Sequence, residues 1–405
     1  MTPQNHFNHL TTFFKWVFGK IRKKGVLYWL TVLVLIGLGV WLGRWLENQE
    51  FAIDVRYKCF HALGATSYRK AFIQRTVVVL IGDEEYWKGE LARRIPTKRD
   101  YLAKLIRHLD MADPAVIALD FDLRSQSPDG SYLLHSDYEA ETKQLLDAVK
   151  EVSRNRWVVL PKTIRLSEKG YETESDIYDG YDFEGGKVRN GYISLPFDIR
   201  KVPLKQTMRN GSTVESFAEA IVRVTNEQAL LPVQGLEVLP YGNYLASDAF
   251  TKISPTDVLN KTPESFAKLR HNIVIIGAGW SSKAYGRGSR VDIYPTPVGP
   301  LQGALIHANF VEALLDNRTS KPLGETILKI IEIIATFCVA VVFVLISRPL
   351  GKLIGIILLV VGLVAFSYFS WLNLGLFYDF FIPVLLVSFH AAYEQIHEWQ
   401  TQAQA

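Results

Sequence analysis

The chain has 405 residues, and its 45 Lys and Arg against 41 Asp and Glu give a formal net charge of +4 at pH 7. This small surplus is not typical of nucleic-acid binding, so we expect no nucleic-acid partner. The sequence contains only two cysteines, Cys59 and Cys338. They are predicted to lie in different parts of the protein, so we expect no intramolecular disulfide and a domain that is stabilised by its own apolar core.

An uncharged apolar segment near the amino terminus, residues 26–43, is just long enough to cross a bilayer. Residues 1–25 before it contain five basic and no acidic residues: Lys15, Lys20, Arg22, Lys23 and Lys24. Because basic flanks stay in the cytoplasm, we predict a cytoplasmic tail at 1–25 and a transmembrane helix at 26–43. A cleavable signal peptide is the alternative, but Leu42 to Trp45 lacks the small-residue cleavage pattern.

Three further apolar segments follow near the carboxyl terminus and predict transmembrane helices at 327–347, 353–371 and 377–392. The loop between the first two, Arg348 to Lys352, is again basic and is therefore placed in the cytoplasm together with the tail 393–405. The sequence thus predicts a multi-pass protein of the cell membrane, with residues 44–323 outside the cytoplasm.

Within 44–323, apolar runs of strand length alternate with segments of helical periodicity. The runs that predict strands are 76–81, 115–120, 157–160 and 272–277, and helices are predicted around 102–109, 145–152, 217–222 and 301–311. Apolar strands that alternate with helices indicate an α/β domain with a mainly parallel sheet. The acidic segment 170–186 predicts a surface excursion whose carboxylates are solvated, with a calcium site as the less favoured alternative.

Several motifs carry a resemblance to a known family: VVVLIGDEEYW at 77–87, AVIALDFDL at 115–123, GYISLPFDIRKVPL at 191–204, and NIVIIGAG at 272–279 followed by Asp292 and His307. These motifs resemble the type-2 CHASE domain, an extracellular sensory module of bacterial signalling proteins. The resemblance implies one membrane helix before the module and three after it. Two departures bear on ligand contacts more than on the fold: Phe197 to Arg200 replaces an Asp-Gly turn, and Tyr86 replaces a small hydroxyl residue.

Candidate binding residues follow the predicted strands, where a doubly wound sheet places its crevice. We predict that Asp83, Asp120 and Asp122 line one pocket, to which the closing loop contributes Trp280 and Asp292. Clustered carboxylates suit a neutral or cationic ligand or a metal ion, although each could instead be a structural cap. His307 is a candidate for ligand binding or pH sensing, with a structural hydrogen bond as the alternative. The sequence identifies neither a metal nor a cofactor.

Three functions fit these features. The favoured one is an extracytoplasmic sensor with no catalytic activity, which binds an unknown small ligand and signals through its helices. Both tails are too short for an output domain, so we expect a homo-oligomer or a separate cytoplasmic effector. Gly37 and Gly39 offer small surfaces for helix association.

The second hypothesis is a structural or assembly subunit of a membrane protein complex. The third is an extracytoplasmic metal-dependent hydrolase, because Asp120 and Asp122 have the spacing of a haloacid-dehalogenase-type phosphatase. That motif expects Thr or Val where this chain has Arg124, which disfavours the hydrolase.

Overall fold

A computed structural model describes residues 19, 25–47, 49–64, 74–91, 94, 97–125, 137–199, 202–225, 246–280, 292–317, 325–346 and 349–374. The chain divides into two compact units, one of Met1–Leu63 with Pro322–Ala405 and one of Gly64–Lys321. The domain bounds 44 and 323 stay a prediction.

The strands are β1 Thr76–Ile81, β2 Val116–Asp120, β3 Trp157–Lys162, β4 Ile164–Ser167, β5 Gly170–Thr173, β6 Val188–Tyr192, β7 Lys205–Thr207, β8 Thr213–Glu215, β9 Thr251–Ile253, β10 Ile273–Ala278, β11 Ile293–Tyr294 and β12 Leu301–Gln302. The α-helices are α1 Gly25–Glu47, α2 Glu50–Gly64, α3 Arg99–Asp110, α4 Tyr138–Ser153, α5 Phe217–Thr225, α6 Pro255–Leu259, α7 Pro263–Leu269, α8 Gly303–Leu315, α9 Glu325–Leu345 and α10 Pro349–Leu374.

The core of the unit Gly64–Lys321 is a six-stranded sheet with the order β6-β3-β2-β10-β1-β9. All five strand pairs are parallel, so the predicted mixed α/β class with a mainly parallel sheet is confirmed. The four predicted strands are β1, β2, β3 and β10, whose apolar residues are buried on both faces. The strands β6 and β9 had no clear apolar signal and complete the sheet at its two edges.

Helices cover both faces of this sheet. One face packs against α3 and α4 through alternate strand residues such as Val79, Leu119 and Ile276. On the other face, α8 packs on β1 and β10 while α5 packs on β3 and β6. Helix α8 approaches β10 closely, because a Cβ atom at Gly277 would overlap the Cβ of Ala304. The glycine in β10 therefore sets the distance between this helix and the strand ends.

The prediction that 170–186 is a solvated surface excursion is wrong for Asp176 and for the aromatic residues that follow it, whereas Asp179, Asp182 and Glu184 are exposed. Asp176 and Tyr178 are buried, and Tyr181 and Phe183 pack against the main core. The Asp176 carboxylate lies 2.9 Å from Lys162 Nζ, so its charge is compensated inside the protein. Aromatic side chains and this ion pair hold the acidic segment onto the domain.

In the other unit, the described residues form four helices, and two pairs of them are in contact. Tyr28, Val32 and Ile36 of α1 pack against Ala340 and Val344 of α9. Phe60 of α2 and Tyr368 of α10 have ring centroids 5.5 Å apart.

Within the described part of the chain, no helix has both the length and the apolar character needed to cross a membrane. The predicted span 377–392 and the tail 393–405 lie outside the described residues, as does the tail 1–25 apart from two glycines.

Candidate functional site

A cavity of about 840 Å³ opens at the carboxyl edge of the central sheet. Nearly all of its lining follows the ends of parallel strands or comes from the segment that closes the domain. The lining residues are Tyr86, Thr97, Asp120, Phe121, Asp122, Arg124, Thr163, Ile164, Arg165, Leu166, Glu174, Ile193, Ser194, Leu195, Ala278, Trp280, Asp292, Tyr294 and His307. Five of the six predicted site residues are therefore brought together here: Asp120, Asp122, Trp280, Asp292 and His307.

Asp120 is the last residue of β2 and lies opposite Gly277 of β10 in the parallel register. Its residue surface is only 8% exposed, and its Oδ2 atom has no hydrogen-bond partner among the described residues. Burial raises the pKa of the Asp120 carboxyl well above its ordinary value, and the neighbouring Asp292 carboxylate raises it further. The group therefore tends to hold a proton where an exposed aspartate would be ionised.

Asp292 reaches the cavity from the closing segment, where Gly303 holds it. The Gly303 amide donates a hydrogen bond to the Asp292 backbone oxygen at 3.0 Å, and a Cβ on this glycine would overlap the Asp292 carboxylate. Burial raises the pKa of the Asp292 carboxyl, against a hydrogen bond from Tyr294 that lowers it. Asp120 and Asp292 thus form an acidic pair, and their carboxylates would repel each other if both were ionised.

His307 lies on α8 and is 2% exposed. Its Nε2 is 3.2 Å from the Ile193 carbonyl oxygen, which can only accept a hydrogen bond. Nε2 is therefore the protonated nitrogen of the neutral ring, and Nδ1 is left as an acceptor with no partner among the described residues.

Burial lowers the pKa of His307 to about 4, although the hydrogen bond to Ile193 raises it. The ring is thus neutral at pH 7. Its distance of 3.8 Å from Asp120 Oδ1 does not amount to an ion pair at that pH.

An aromatic wall stands beside the acidic pair. The rings of Tyr86 and Trp280 are stacked, with centroids 4.1 Å apart and planes 4° from parallel. Tyr86 belongs to a π-helical turn, Glu84–Lys88, directly after β1, and Trp280 follows β10. The bulky residue that departs from the family pattern is therefore part of the cavity wall.

Asp122 lines the same cavity as Asp120 but is already paired. Arg124 Nε lies 2.9 Å from both carboxylate oxygens of Asp122, and Arg124 Nη1 lies 3.0 Å from Glu174. Arg124, which stands where the phosphatase motif expects Thr or Val, thus compensates the charge of Asp122, the second carboxylate of that motif. Among the described residues, no group of three or more His, Cys, Asp or Glu side chains could hold a metal ion.

Asp83 does not belong to the lining of this cavity. It is exposed, and it accepts a hydrogen bond from Trp87 Nε1 at 3.0 Å. The π-helical turn after β1 therefore directs this carboxylate away from the cavity.

Sequence reasoning also missed lining residues, chiefly the segments 163–166 and 193–195. They follow β3 and β6, so a correct assignment of β6 as a strand would have pointed to the second segment.

Ligands of α/β domains commonly bind in a crevice at the strand ends, and the cavity lies at such a position. A family model of the CHASE2 domain matches residues 29–345, which is more than half of the chain. The chain therefore belongs to the CHASE2 domain family, whose domain is extracytoplasmic and sensory rather than catalytic. Neither a curated protein nor a solved structure matches the chain.

Proposed function

We propose that this chain is a membrane-anchored extracytoplasmic sensor that binds a small ligand in the strand-end cavity and signals through its helices to a separate partner. The observation that carries the proposal is the pair of buried polar atoms at the cavity, Asp120 Oδ2 and His307 Nδ1, that lack partners among the described residues. A buried polar atom without a hydrogen bond costs roughly 1–3 kcal/mol. A ligand that supplies the missing bonds would recover this free energy on binding.

Helix α8 supports a route from the cavity towards the rest of the chain. Its first turns carry Gly303 and His307 at the cavity, and its last turns carry Glu312. The Glu312 carboxylate accepts hydrogen bonds at 2.7 Å from the backbone amides of Arg75 and Thr76, where β1 begins. Helix α8 thus joins the cavity to the first strand of the domain, and it precedes α9 in the chain. A ligand that shifts α8 would also shift the start of β1.

Membrane anchoring is supported by where apolar side chains are exposed. Almost all exposed large apolar side chains of the described residues lie on α1, α2, α9 and α10, for example Val34, Ile334 and Leu358. In the unit Gly64–Lys321, the exposed large apolar residues of the described segments are Met111, Leu166 and Ile293. Together with the basic flanks at Lys15–Lys24 and Arg348–Lys352, this distribution fits helices in contact with lipid.

The topology is tested by single cysteines in a variant without Cys59 and Cys338. A membrane-impermeant thiol reagent added to intact cells should label Ser131→Cys and Ser247→Cys but not Asn5→Cys or Gln402→Cys. The inner pair should become labelled after the cells are permeabilised. Labelling of Gln402→Cys in intact cells would contradict the arrangement of four spans.

The alternative of a structural or assembly subunit is separated from the sensor by native mass spectrometry of the gently solubilised protein. A bound small molecule would support the sensor. A stoichiometric protein partner together with an empty cavity would support the assembly subunit.

A further inference from the structure

We infer that the ligand of the strand-end cavity is an organic cation with an ammonium or guanidinium group, which binds between Asp120 and Asp292. This inference rests on the proposed function, because it names the ligand class of the same cavity. It is carried by the charges of the lining, by the hydrogen-bonding character of its buried atoms, and by its aromatic wall.

Among the described residues, the lining contains more carboxyl groups than cations. Its described acidic residues are Asp120, Asp122, Glu174 and Asp292, and its described basic residues are Arg124 and Arg165. Arg124 is shared by Asp122 and Glu174, and Arg165 is exposed. The described part of the lining therefore places no compensating cation at the Asp120–Asp292 pair, and an anionic ligand would add a further like charge.

The buried polar atoms around Asp120 and Asp292 are hydrogen-bond acceptors, so a ligand that binds there should be a donor. Nδ1 of His307 is an acceptor because Nε2 donates to Ile193, and the carboxyls of Asp120 and Asp292, once ionised, also only accept. An ammonium group offers three donors and no acceptor, which matches such a set, whereas a hydroxyl group offers one donor. The stacked rings of Tyr86 and Trp280 add an aromatic surface that favours a cation within about 6 Å.

Binding of a cation is coupled to loss of a proton from the acidic pair. Asp120 and Asp292 line the cavity with the neutral His307, and Tyr294 donates a hydrogen bond to Asp292. The other charged groups of the described lining are Asp122, Glu174, Arg124 and Arg165. A cation favours the ionised form of Asp120 and Asp292, so the displaced proton passes to the buffer. The affinity for the cation should therefore rise as the pH rises, since less work is needed to ionise the pair.

The test uses the full chain in nanodiscs of zwitterionic lipid and three probes of one shape: 2-phenylethylammonium, 2-phenylethanol and phenylacetate. We expect the ammonium compound alone to raise the midpoint of thermal unfolding. Its affinity should be higher at pH 8 than at pH 5.5, and titration calorimetry in two buffers of different ionisation enthalpy should report proton release.

Asp292→Asn should weaken ammonium binding about tenfold or more, as expected for loss of a hydrogen bond to a charged group. It should also flatten the pH dependence. Glu264→Gln is the matched control, because Glu264 is exposed on α7, pairs with Lys268 and is not a lining residue of the cavity. This control should bind the ammonium probe as the wild type does. If Asp292→Asn fails to fold, the pH dependence and proton count of the wild type decide the question.

Absence of stabilisation by the ammonium probe, or equal stabilisation by 2-phenylethanol, overturns the cationic class. Stabilisation by 2-phenylethanol or phenylacetate that is lost in Asp120→Asn would keep the cavity as a sensory site while rejecting the cation. Ammonium binding that persists unchanged in both Asp120→Asn and Asp292→Asn would reject the assignment to this cavity.

Discussion

The Asp120 and Asp292 carboxyls reduce the stability of the folded protein when they are ionised. Burial raises the pKa of both carboxyls in the folded state, and repulsion from Asp292 raises the pKa of Asp120 further, while the unfolded chain gives both ordinary values of about 4. Between the unfolded and folded pKa values, the native state binds more protons than the unfolded state. Stability therefore falls as the pH rises through this window, by about 1.4 kcal/mol for each unit of pKa difference.

Asp120→Asn should accordingly make the domain more stable than the wild type at pH 8, because an amide keeps the shape of the protonated carboxyl and cannot ionise. The difference should shrink as the pH falls to 4 and below, where the wild-type carboxyl becomes protonated in both states. Denaturant midpoints followed by tryptophan fluorescence at several pH values measure this difference.

The comparison must be made between variant and wild type at each pH, because His307 acts in the opposite direction. Its pKa is lowered to about 4 in the fold, so it adds a stability that is lost as the pH falls from about 6.5 towards 4. That contribution is the same in both proteins and cancels. A variant that is less stable than the wild type at pH 8 would make Asp120 a structural residue.

At the scale of the element, α8 is anchored at both ends. Its amino end packs closely on β10 at Gly277, and Glu312 near its carboxyl end is 2% exposed and binds the start of β1. Two backbone amides, the Thr76 hydroxyl and the Arg75 guanidinium all donate to the one Glu312 carboxylate. These contacts fix the end of the helix from which the chain leaves the domain.

Glu312→Ala should destabilise the domain by about 1.5–3 kcal/mol, because the first amides of β1 lose a charged acceptor inside the protein. The midpoint of chemical unfolding measures the loss. Glu264→Ala serves as the control, since an exposed pair such as Glu264 with Lys268 contributes about 0–1 kcal/mol. Equal small effects for both variants would show that the anchor at β1 does not stabilise α8.

At the scale of the whole molecule, the proposed sensor would transmit by a shift of helices between subunits. The sequence offered Gly37 and Gly39 as surfaces for close helix packing. The structure separates them: Gly39 is buried on the face of α1 that includes Val32 and Ile36, which pack on α9, whereas Gly37 is exposed and has nothing within 4 Å of a Cβ position.

We therefore expect Gly37→Ile to weaken a homo-oligomer formed through α1, while the fold of each subunit is kept. The oligomer is measured by crosslinking in membranes and by native mass spectrometry. Thr31→Ile, which lies on the same helix but replaces no glycine, is the control for added volume. An unchanged oligomer in the Gly37 variant would place the subunit interface elsewhere.

The sequence by itself determined the parallel α/β core and the edge of the sheet at which the site lies. Strands buried on both faces must be apolar along their whole length, so runs such as Val77–Ile81 and Ile273–Ile276 are visible without a structure. The residues that follow such strands meet at one edge, which is why Asp120 and Trp280 could be placed at one cavity.

The tertiary structure alone decided which charges remain unpaired in that cavity. Strand β6 carries the polar sequence VRNGY and gives no periodic signal, so the contact from Ile193 to His307 was not predictable. The turns that follow the strands decide three further features of the cavity edge. They are the ion pair between Asp122 and Arg124, the exposure of Asp83, and the placement of Asp292 near Asp120. A strand's burial is an average property of its residues, whereas the partner of a single carboxylate depends on a few ångströms of backbone placement.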